Sequence, residues 1–312
     1  MSLIEQAAKR LEQLRQAGVE FPEESVSTPV SPPMATTMQS TTPAIAAPLN
    51  PSPSGPILKT PQPTSTLTIL DLKAISASGL LTPDAARSQL ADEFRVIKRP
   101  LIANAMGRGP VPVPNGNLIM VTSALPGEGK SFSAINLAIS IAMELDNTVM
   151  LVDADVARPS VLNMLGLSPA NGLLDVLQEN SLDISNVLLR TNIEKLSILP
   201  SGTPHPRATE LLASDTMIRL LDDMSSRYSD RIIIFDSPPL LLTTEARVLA
   251  SHMGQVIIVV NAENTTQAAV KQAIATIDSC PHKMMLLNQV RTPKTDGYGY
   301  GYGFGYGYGH EN

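Results

Sequence analysis

A glycine-rich loop in this chain has the residue types and spacing that bind phosphate. Residues 124–131 read Ala-Leu-Pro-Gly-Glu-Gly-Lys-Ser, which is the GxxxxGKS pattern with alanine at the first glycine. Glycines let backbone N–H groups turn toward phosphate oxygens, and a helix predicted from Lys130 points its positive end at the same anion. We predict that Lys130 contacts the β- and γ-phosphates of ATP and that the Ser131 hydroxyl binds Mg²⁺. The predicted nucleotide contacts in this loop are Pro126, Gly127, Glu128, Gly129, Lys130, Ser131 and Phe132.

Two apolar segments each end in aspartate. Residues 149–152 precede Asp153-Ala-Asp155, and residues 232–235 precede Asp236 in a Walker B arrangement. Side chains alternate along a strand, so Asp153 and Asp155 should share one face, and we expect their strand to lie beside the strand of the phosphate loop. An ordinary pair of helix-capping carboxylates is the alternative. The predicted catalytic residues are Lys130, Asp153 and Asp155, and the predicted metal ligands are Ser131, Asp153, Asp155 and Asp236.

The sequence ends in a regular alternation of glycine with aromatic residues, from Gly297 to Gly309. An ATP site joined to a run of tyrosines indicates phosphoryl transfer to those hydroxyls, with Asp153 accepting or orienting the tyrosine proton. Without an ATP site, we would interpret the same segment as a low-complexity adhesive tail. The predicted phosphoacceptors are Tyr298, Tyr300, Tyr302, Tyr306 and Tyr308.

Composition limits the partners and the location of the protein. Only 17% of the residues are charged and the formal net charge is −6, which argues against nucleic acid as a partner. The single cysteine, Cys280, fits a reducing compartment and is predicted to be a buried, inert thiol. No apolar stretch is long enough to span a bilayer, and the first residues lack a signal-peptide pattern. We predict a cytoplasmic protein.

The chain divides into four predicted segments. Residues 1–20 include an amphipathic helix at 3–17, which is either a frayed terminus or a docking helix. Residues 21–65 are rich in proline, serine and threonine and are predicted to be a disordered linker. The catalytic domain is predicted at 66–296, and residues 297–312 form a flexible Gly-Tyr tail.

Strand and helix patterns alternate through the predicted catalytic domain. This order predicts a doubly wound α/β P-loop NTPase with a mostly parallel sheet, helices on both faces and a ligand site at the carboxyl ends of the strands. Thr82 should cap the first helix, and Pro100 should kink or end it. The predicted strands are 118–123, 148–153, 195–199, 231–236, 255–261 and 283–289, and the predicted helices are 83–99, 130–145, 208–228 and 265–278.

These motifs together resemble those of the bacterial tyrosine kinases, which control exopolysaccharide and capsule export. The resemblance covers about residues 67–312 and rests on the loop at 126–131, the Asp-x-Asp at 153–155, the Asp-Ser-Pro-Pro at 236–239 and the tyrosine tail. Two further segments, 97–101 and 205–212, look closest to the soluble autokinases of exosortase-linked polysaccharide systems. The resemblance implies ATP and Mg²⁺ as cofactors, autophosphorylation of the tail, and an adenine contact at Asn288.

Three positions depart from the family pattern. The arginine that follows the second aspartate motif is displaced by one, to Arg158, and an aspartate expected after the Pro-Pro pair is replaced by Glu245. The family has a helix motif of one acid and two arginines. The corresponding residues here are Asp92, Arg95 and Lys98, which are predicted to lie on one helical face. The resemblance implies that this face joins subunits into a ring, although a solvated charged face is an equal alternative.

The resemblance also implies a membrane-embedded chain-length regulator as partner. This partner would recruit the protein to the inner face of the plasma membrane. Helix 3–17 is a candidate docking element for it. The first alternative function is a partition- or division-site-type ATPase switch of the same fold. Those proteins place a lysine at the second position of the phosphate loop, where this chain has Leu125. The second alternative is a non-catalytic scaffold that uses nucleotide to assemble an export complex.

Overall fold

The computed structural model describes residues 65–291, except 86, 180–181 and 228–229. The predicted N-terminal helix, most of the linker and the tyrosine tail lie outside these residues. The described strands form one eight-stranded sheet in the order β1-β4-β5-β3-β6-β2-β7-β8. The strands are β1 Thr66–Thr68, β2 Leu118–Ser123, β3 Thr148–Asp153, β4 Leu189–Thr191, β5 Leu196–Leu199, β6 Arg231–Asp236, β7 Gln255–Asn261 and β8 His282–Asn288.

All neighbouring strands run parallel except β4 and β5, which are antiparallel. The predicted doubly wound, mostly parallel sheet is therefore confirmed. One detail of the predicted order is wrong, because β6 lies between β2 and β3. The strand that delivers Asp236 thus occupies the centre of the site, with Asp153 in register beside it.

Helices cover both faces of the sheet, and two buried apolar clusters fill the spaces between them. Alternate residues of β2 serve the two clusters, with Met120 on one side and Val121 on the other. The helices are α1 Leu72–Ala77, α2 Gln89–Ala105, α3 Lys130–Ala142, α4 Val161–Met164, α5 Leu173–Gln178, α6 Ile184–Val187, α7 Ala208–Leu212, α8 Asp215–Arg227, α9 Glu245–Ala250 and α10 Gln267–Ala275. Within the described part of the chain, none of these helices is long and apolar enough to cross a membrane.

Helix α2 differs from the sequence prediction at both ends. It is capped by Ser88, whose hydroxyl accepts a hydrogen bond from the Ala91 N–H at 3.2 Å, and the predicted start at Pro83 is a short 3₁₀ turn instead. Pro100 lies inside the helix, which continues to Ala105. Buried residues on both sides of Pro100, including Leu101, fix the helix against α3, so tertiary packing outweighs the local cost of proline.

The predicted helix at 208–228 is two helices, α7 and α8, separated at Ala213–Ser214. The Ser214 hydroxyl donates to the Leu211 carbonyl oxygen and accepts from the Met217 N–H, so this side chain ends one helix and starts the next. Strands β1 and β4 were not predicted. Each has only three residues, which is too short for a strand periodicity to show.

Candidate active site

The phosphate loop joins the carboxyl end of β2 to the start of α3. Gly127 and Gly129 have φ values of 81° and 91°, in the left-handed region that favours glycine. A Cβ atom on Gly129 would also lie 2.1 Å from the Asn288 Nδ2 atom. Helix α3 starts at Lys130 and is almost entirely buried, so the loop has a rigid base and the helix N-terminus faces the site.

The Glu128 side chain holds the loop in shape. It is buried, and its Oε2 atom accepts a hydrogen bond from the Leu125 N–H at 2.6 Å. Its Oε1 atom accepts from the Asn261 N–H at 3.3 Å and from the Thr265 hydroxyl. The Glu128 carboxylate therefore connects the loop to the end of β7, and only the backbone of this residue remains to bind phosphate.

Two amide side chains at the end of β8 hold the loop from outside. Asn288 Nδ2 donates to the Glu128 carbonyl oxygen at 2.9 Å, and Gln289 Nε2 donates to the Gly127 carbonyl oxygen at 3.0 Å. Asn261 Nδ2 in turn donates to Gln289 Oε1. Asn288 was predicted as an adenine contact, whereas Gln289 and Asn261 were not predicted, because polar residues at the end of a strand have no distinctive spacing.

Lys130 lies among the carboxylates that were predicted to converge. Its Nζ atom is 2.6 Å from Asp155 Oδ2 and 3.8 Å from Asp236 Oδ1. The Asp155 Oδ1 atom accepts the Arg158 N–H at 3.1 Å, while Arg158 itself is exposed. Here the ammonium offsets the repulsion between buried carboxylates, and it would have to release Asp155 to contact a phosphate.

Asp153 is buried, and only one of its two carboxylate oxygens has hydrogen-bond partners. Its Oδ2 atom accepts the Ser160 N–H at 3.1 Å and the Val161 N–H at 3.0 Å. Its Oδ1 atom is buried without a hydrogen-bond partner. The Ser160 hydroxyl also donates to Ser131 Oγ at 2.9 Å, so this serine connects two predicted site residues. Ser160 was missed from the sequence, since a serine seven residues after an aspartate has no recognisable pattern.

Burial shifts the titration of two aspartates. Burial raises the pKa of Asp236 to about 7, against the opposing effect of Lys130. Burial also raises the pKa of Asp153 to about 6, although the hydrogen bonds from Val161 and Ser160 lower it. Each charged carboxylate therefore costs stability in the absence of a metal ion, even with Lys130 nearby.

This cost predicts a stability that depends on pH. An unfolded aspartate ionises near pH 3.8, whereas Asp236 in the fold ionises near 7, so its charge lowers the free energy of unfolding as pH rises from about 4 to 7. We expect Asp236→Asn to stabilise the metal-free protein by about 4 kcal/mol at pH 8 and by only about 1 kcal/mol at pH 4.5. Urea unfolding at both pH values measures the difference, and the exposed Asp222→Asn is the control. Equal effects at the two pH values would contradict the prediction.

The donors in this site fit Mg²⁺. Both carboxylate oxygens of Asp236 and the Oδ1 atom of Asp153 are buried and lack hydrogen-bond partners. Among the described residues, no three His, Cys, Asp or Glu side chains are grouped to hold a metal by themselves. Mg²⁺ commonly takes one or two carboxylates and completes its shell with phosphate oxygens and water, so this set suits an ion that arrives with a nucleotide.

Comparison with known proteins adds independent support. The sequence profile of a family described as an AAA domain matches residues 116–289, which is more than half of the chain. The tyrosine-protein kinase YwqD of Bacillus subtilis (strain 168) is 33% identical over 182 residues, covering 58% of this chain and 75% of YwqD. This chain belongs to the bacterial tyrosine-protein kinase family.

Two solved structures resemble this tyrosine kinase. The chimerical protein CapA2B2 has a TM-score of 0.58 and 28% identity, over 71% of this chain and 100% of the other. The kinase domain of the Escherichia coli tyrosine kinase ETK has a TM-score of 0.52 and 27% identity, over 60% of this chain and 72% of the other. The chain spans only about a fifth of the length of several longer curated relatives.

Two departures from the family pattern have structural explanations in this tyrosine kinase. Glu245 Oε1 accepts the Thr209 hydroxyl at 2.6 Å and so connects α9 to α7. Lys98 does not share one helical face with Asp92 as predicted; it is buried, while Asp92 is exposed and pairs with Arg95. A buried lysine replaces the second arginine of the family helix motif.

The buried Lys98 ammonium holds the far end of the phosphate-loop helix. Its Nζ atom donates to the Ser140 carbonyl oxygen in the last turn of α3 and pairs with Glu144, both at 2.6 Å. We expect Lys98→Met to lower the free energy of unfolding by about 1–3 kcal/mol, because the Ser140 oxygen loses its charged partner. Denaturant unfolding tests this, with the exposed Arg99→Met as control. Equal stability of the two variants would show that the contact contributes nothing.

Proposed function

We propose that this chain is an ATP- and Mg²⁺-dependent protein-tyrosine autokinase that phosphorylates its own C-terminal tyrosines and regulates the chain length and export of an exopolysaccharide. One observation carries the proposal: Asp155 and Asp236 lie within 4 Å of the phosphate-loop lysine, Lys130, and Asp153 lies in register beside Asp236. The family membership supports the reaction, and the resemblance to polysaccharide-system kinases supports the biological role.

Each residue in the site has a role in phosphoryl transfer. Lys130 and the N–H groups of residues 127–132 bind and align the phosphates, which supplies most of what this reaction needs. Ser131, Asp153, Asp155 and Asp236 would hold Mg²⁺, which neutralises charge on the phosphate oxygens when bound. The Lys130 ammonium moves from Asp155 to a phosphate as the nucleotide enters.

Asp153 is the group we assign to the tyrosine proton. Two backbone N–H groups bind its Oδ2 atom and hold the carboxylate in one orientation, and its Oδ1 atom has no hydrogen-bond partner. Without Mg²⁺ its pKa is about 6, raised by burial, so the carboxylate can take up a proton near neutral pH before the metal binds. Asp153 then accepts or orients the hydroxyl proton while the oxygen attacks the γ-phosphorus, and the bond from that phosphorus to the β–γ bridging oxygen breaks to release ADP.

The position of the chain end favours the tail as acceptor. The described residues end at Arg291, and β8 ends beside the phosphate loop through Asn288 and Gln289. Tyr298 lies ten positions after Asn288, and an extended chain of that length reaches at most about 35 Å. The tail therefore starts close enough to reach its own active site or that of an adjacent subunit.

The proposed function also includes assembly of subunits into a ring and recruitment to the plasma membrane. Asp92 and Arg95 remain solvent-accessible on α2 and can contact an adjacent subunit in a ring, although Lys98 cannot. A membrane-embedded chain-length regulator would recruit this otherwise cytoplasmic kinase to the inner face of the plasma membrane, with residues 3–17 as the docking segment. Light scattering of Arg95→Glu tests the ring, and membrane co-sedimentation after deletion of residues 1–20 tests the docking.

The alternative ATPase function makes a different product from the same nucleotide. We would incubate the purified full chain with γ-labelled ATP and Mg²⁺ and compare label on protein tyrosine with label released as free phosphate. The kinase proposal expects label on the protein that is lost after tyrosine-specific phosphatase treatment. Steady phosphate release with no labelled protein would favour the ATPase switch, and the absence of both products would favour the scaffold.

A further inference from the structure

Strand β8 forms an open edge of the sheet with exposed apolar side chains. In the part of the chain that the structure describes, β7 is the only strand paired with β8. Met285 and Leu287 are 66% and 62% exposed, and Val290 just beyond the strand is 53% exposed. Edge strands in soluble proteins are usually protected by charge, by proline or by a covering segment, because their free N–H and C=O groups pair readily with another strand.

An apolar groove lies beside this edge. It has a volume of about 740 Å³ between β8 and helix α2, and Phe132 of the phosphate-loop helix also lines it. Val96 on the α2 side is 73% exposed. A strand added to β8 could place its side chains over this groove, which Met285 and Leu287 also line.

The chain's own tail has the sequence that such an edge requires. Strict alternation from Gly297 to Gly309 would place six aromatic side chains on one face of an extended strand and glycines on the other. Aromatic residues favour strands, and aromatic side chains cover neighbouring glycines across a sheet. Phosphorylation of a flexible tail does not require strict alternation, whereas a strand with one aromatic face does.

The path of the chain after β8 favours a return along the same edge. Gln289 has a φ of 57°, in the left-handed region, so the backbone turns as soon as the strand ends. Pro293 and the pair Asp296-Gly297 follow, and all three are turn-forming residue types. Nine residues, 289–297, are then available to reverse the direction before Tyr298.

We propose that the unphosphorylated tail, residues 298–308, pairs antiparallel with β8 of the same molecule as a ninth strand, and that phosphorylation of a transiently released tail prevents it from pairing again. Its short tether gives an effective concentration in the millimolar range, which favours pairing within one molecule over pairing between copies. The release step rests on the proposed kinase function; the pairing itself does not.

Phosphorylation would release the strand through charge. Each phosphotyrosine carries about −1.5 to −2 charges, and alternation places neighbouring phosphates on the same face. These groups would lie against the apolar surface of Met285 and Leu287 or beside the Glu93 carboxylate in the groove. Both positions disfavour a phosphate, so a modified tail leaves the edge.

Hydrogen exchange tests the pairing without any kinase reaction. We would compare the phosphatase-treated full chain with a chain ending at Arg291, and follow the amides of residues 282–288. The proposal expects those β8 amides that point away from β7 to exchange at least ~10-fold more slowly in the full chain, with the amides of the central strand β2 unchanged as control. Equal exchange in the two proteins would overturn the proposal.

Two further experiments test who pairs with β8 and whether charge releases the tail. Slow exchange that disappears on dilution would indicate a second copy on the edge and would overturn the assignment to one molecule. Changing the five tail tyrosines to aspartate mimics the charge without the kinase, and we expect this variant to exchange like the truncated chain. Retained protection in the aspartate variant would overturn the release step. If the tail takes up no phosphate but the β8 amides still exchange slowly, the proposed kinase function is wrong and the proposed pairing is supported.

Discussion

We expect Lys130→Met to lose at least about 100-fold in the rate of tail phosphorylation, the lower range for removal of one preorganised charged contact in an active site. Lys130 is the only cation within 4 Å of Asp155 and Asp236 among the described residues, so no nearby side chain replaces its charge at the phosphates. Methionine keeps the length of the side chain. Incorporation of labelled phosphate under saturating ATP and Mg²⁺ measures the loss.

The exposed lysine Lys271 on α10 provides the matched control, since Lys271→Met makes the same chemical change far from the phosphate loop in sequence. We expect it to keep the wild-type rate. Asp153→Asn should also lose activity, and a thermal unfolding curve for each variant shows whether the fold is kept. A folded Lys130→Met protein that labels its tail at the wild-type rate would contradict the assignment of this lysine.

Changing all five tail tyrosines to phenylalanine should remove most of the phosphate incorporation while nucleotide binding stays unchanged. The tyrosines are Tyr298, Tyr300, Tyr302, Tyr306 and Tyr308. Phenylalanine keeps the ring and removes only the hydroxyl oxygen that attacks the phosphate, so apolar contacts of the tail remain. Labelling of the variant beside the wild-type protein is the measurement.

The control for this variant is Phe304→Leu, which alters the tail without removing a hydroxyl group. It should label as strongly as the wild-type protein. Tyr228 is the one tyrosine outside the tail. If the five-phenylalanine variant were labelled as strongly as the wild type, the acceptors would lie elsewhere in the chain.

Much of the fold could be predicted because the central strands are continuous apolar runs. The bounds of β2, β3, β6 and β7 were predicted to the residue, since parallel strands covered on both faces must be apolar throughout and each of these ends at a polar or turn-forming residue. The convergence of Lys130 with the three aspartates followed from the same rule. Residues at the carboxyl ends of parallel strands meet at one edge.

The sequence did not reveal contacts that depend on distant packing. Lys98 looked like a surface residue because its spacing from Asp92 and Arg95 suits a helix face, yet α3 brings a carbonyl oxygen and Glu144 to it. The Gln289 contact with Gly127 joins residues 162 positions apart. Such contacts are set by how elements pack, which local propensity and periodicity do not specify.

The most direct test of the autokinase function is mass spectrometry of the purified full chain after incubation with ATP and Mg²⁺. Phosphatase-treated protein would be the starting material, Lys130→Met the negative control, and proteolytic peptides would locate each modified residue. We predict phosphate on tyrosines between Tyr298 and Tyr308 in the wild-type protein and none in the variant. An unmodified tail in a protein that binds and consumes ATP would contradict the proposed function.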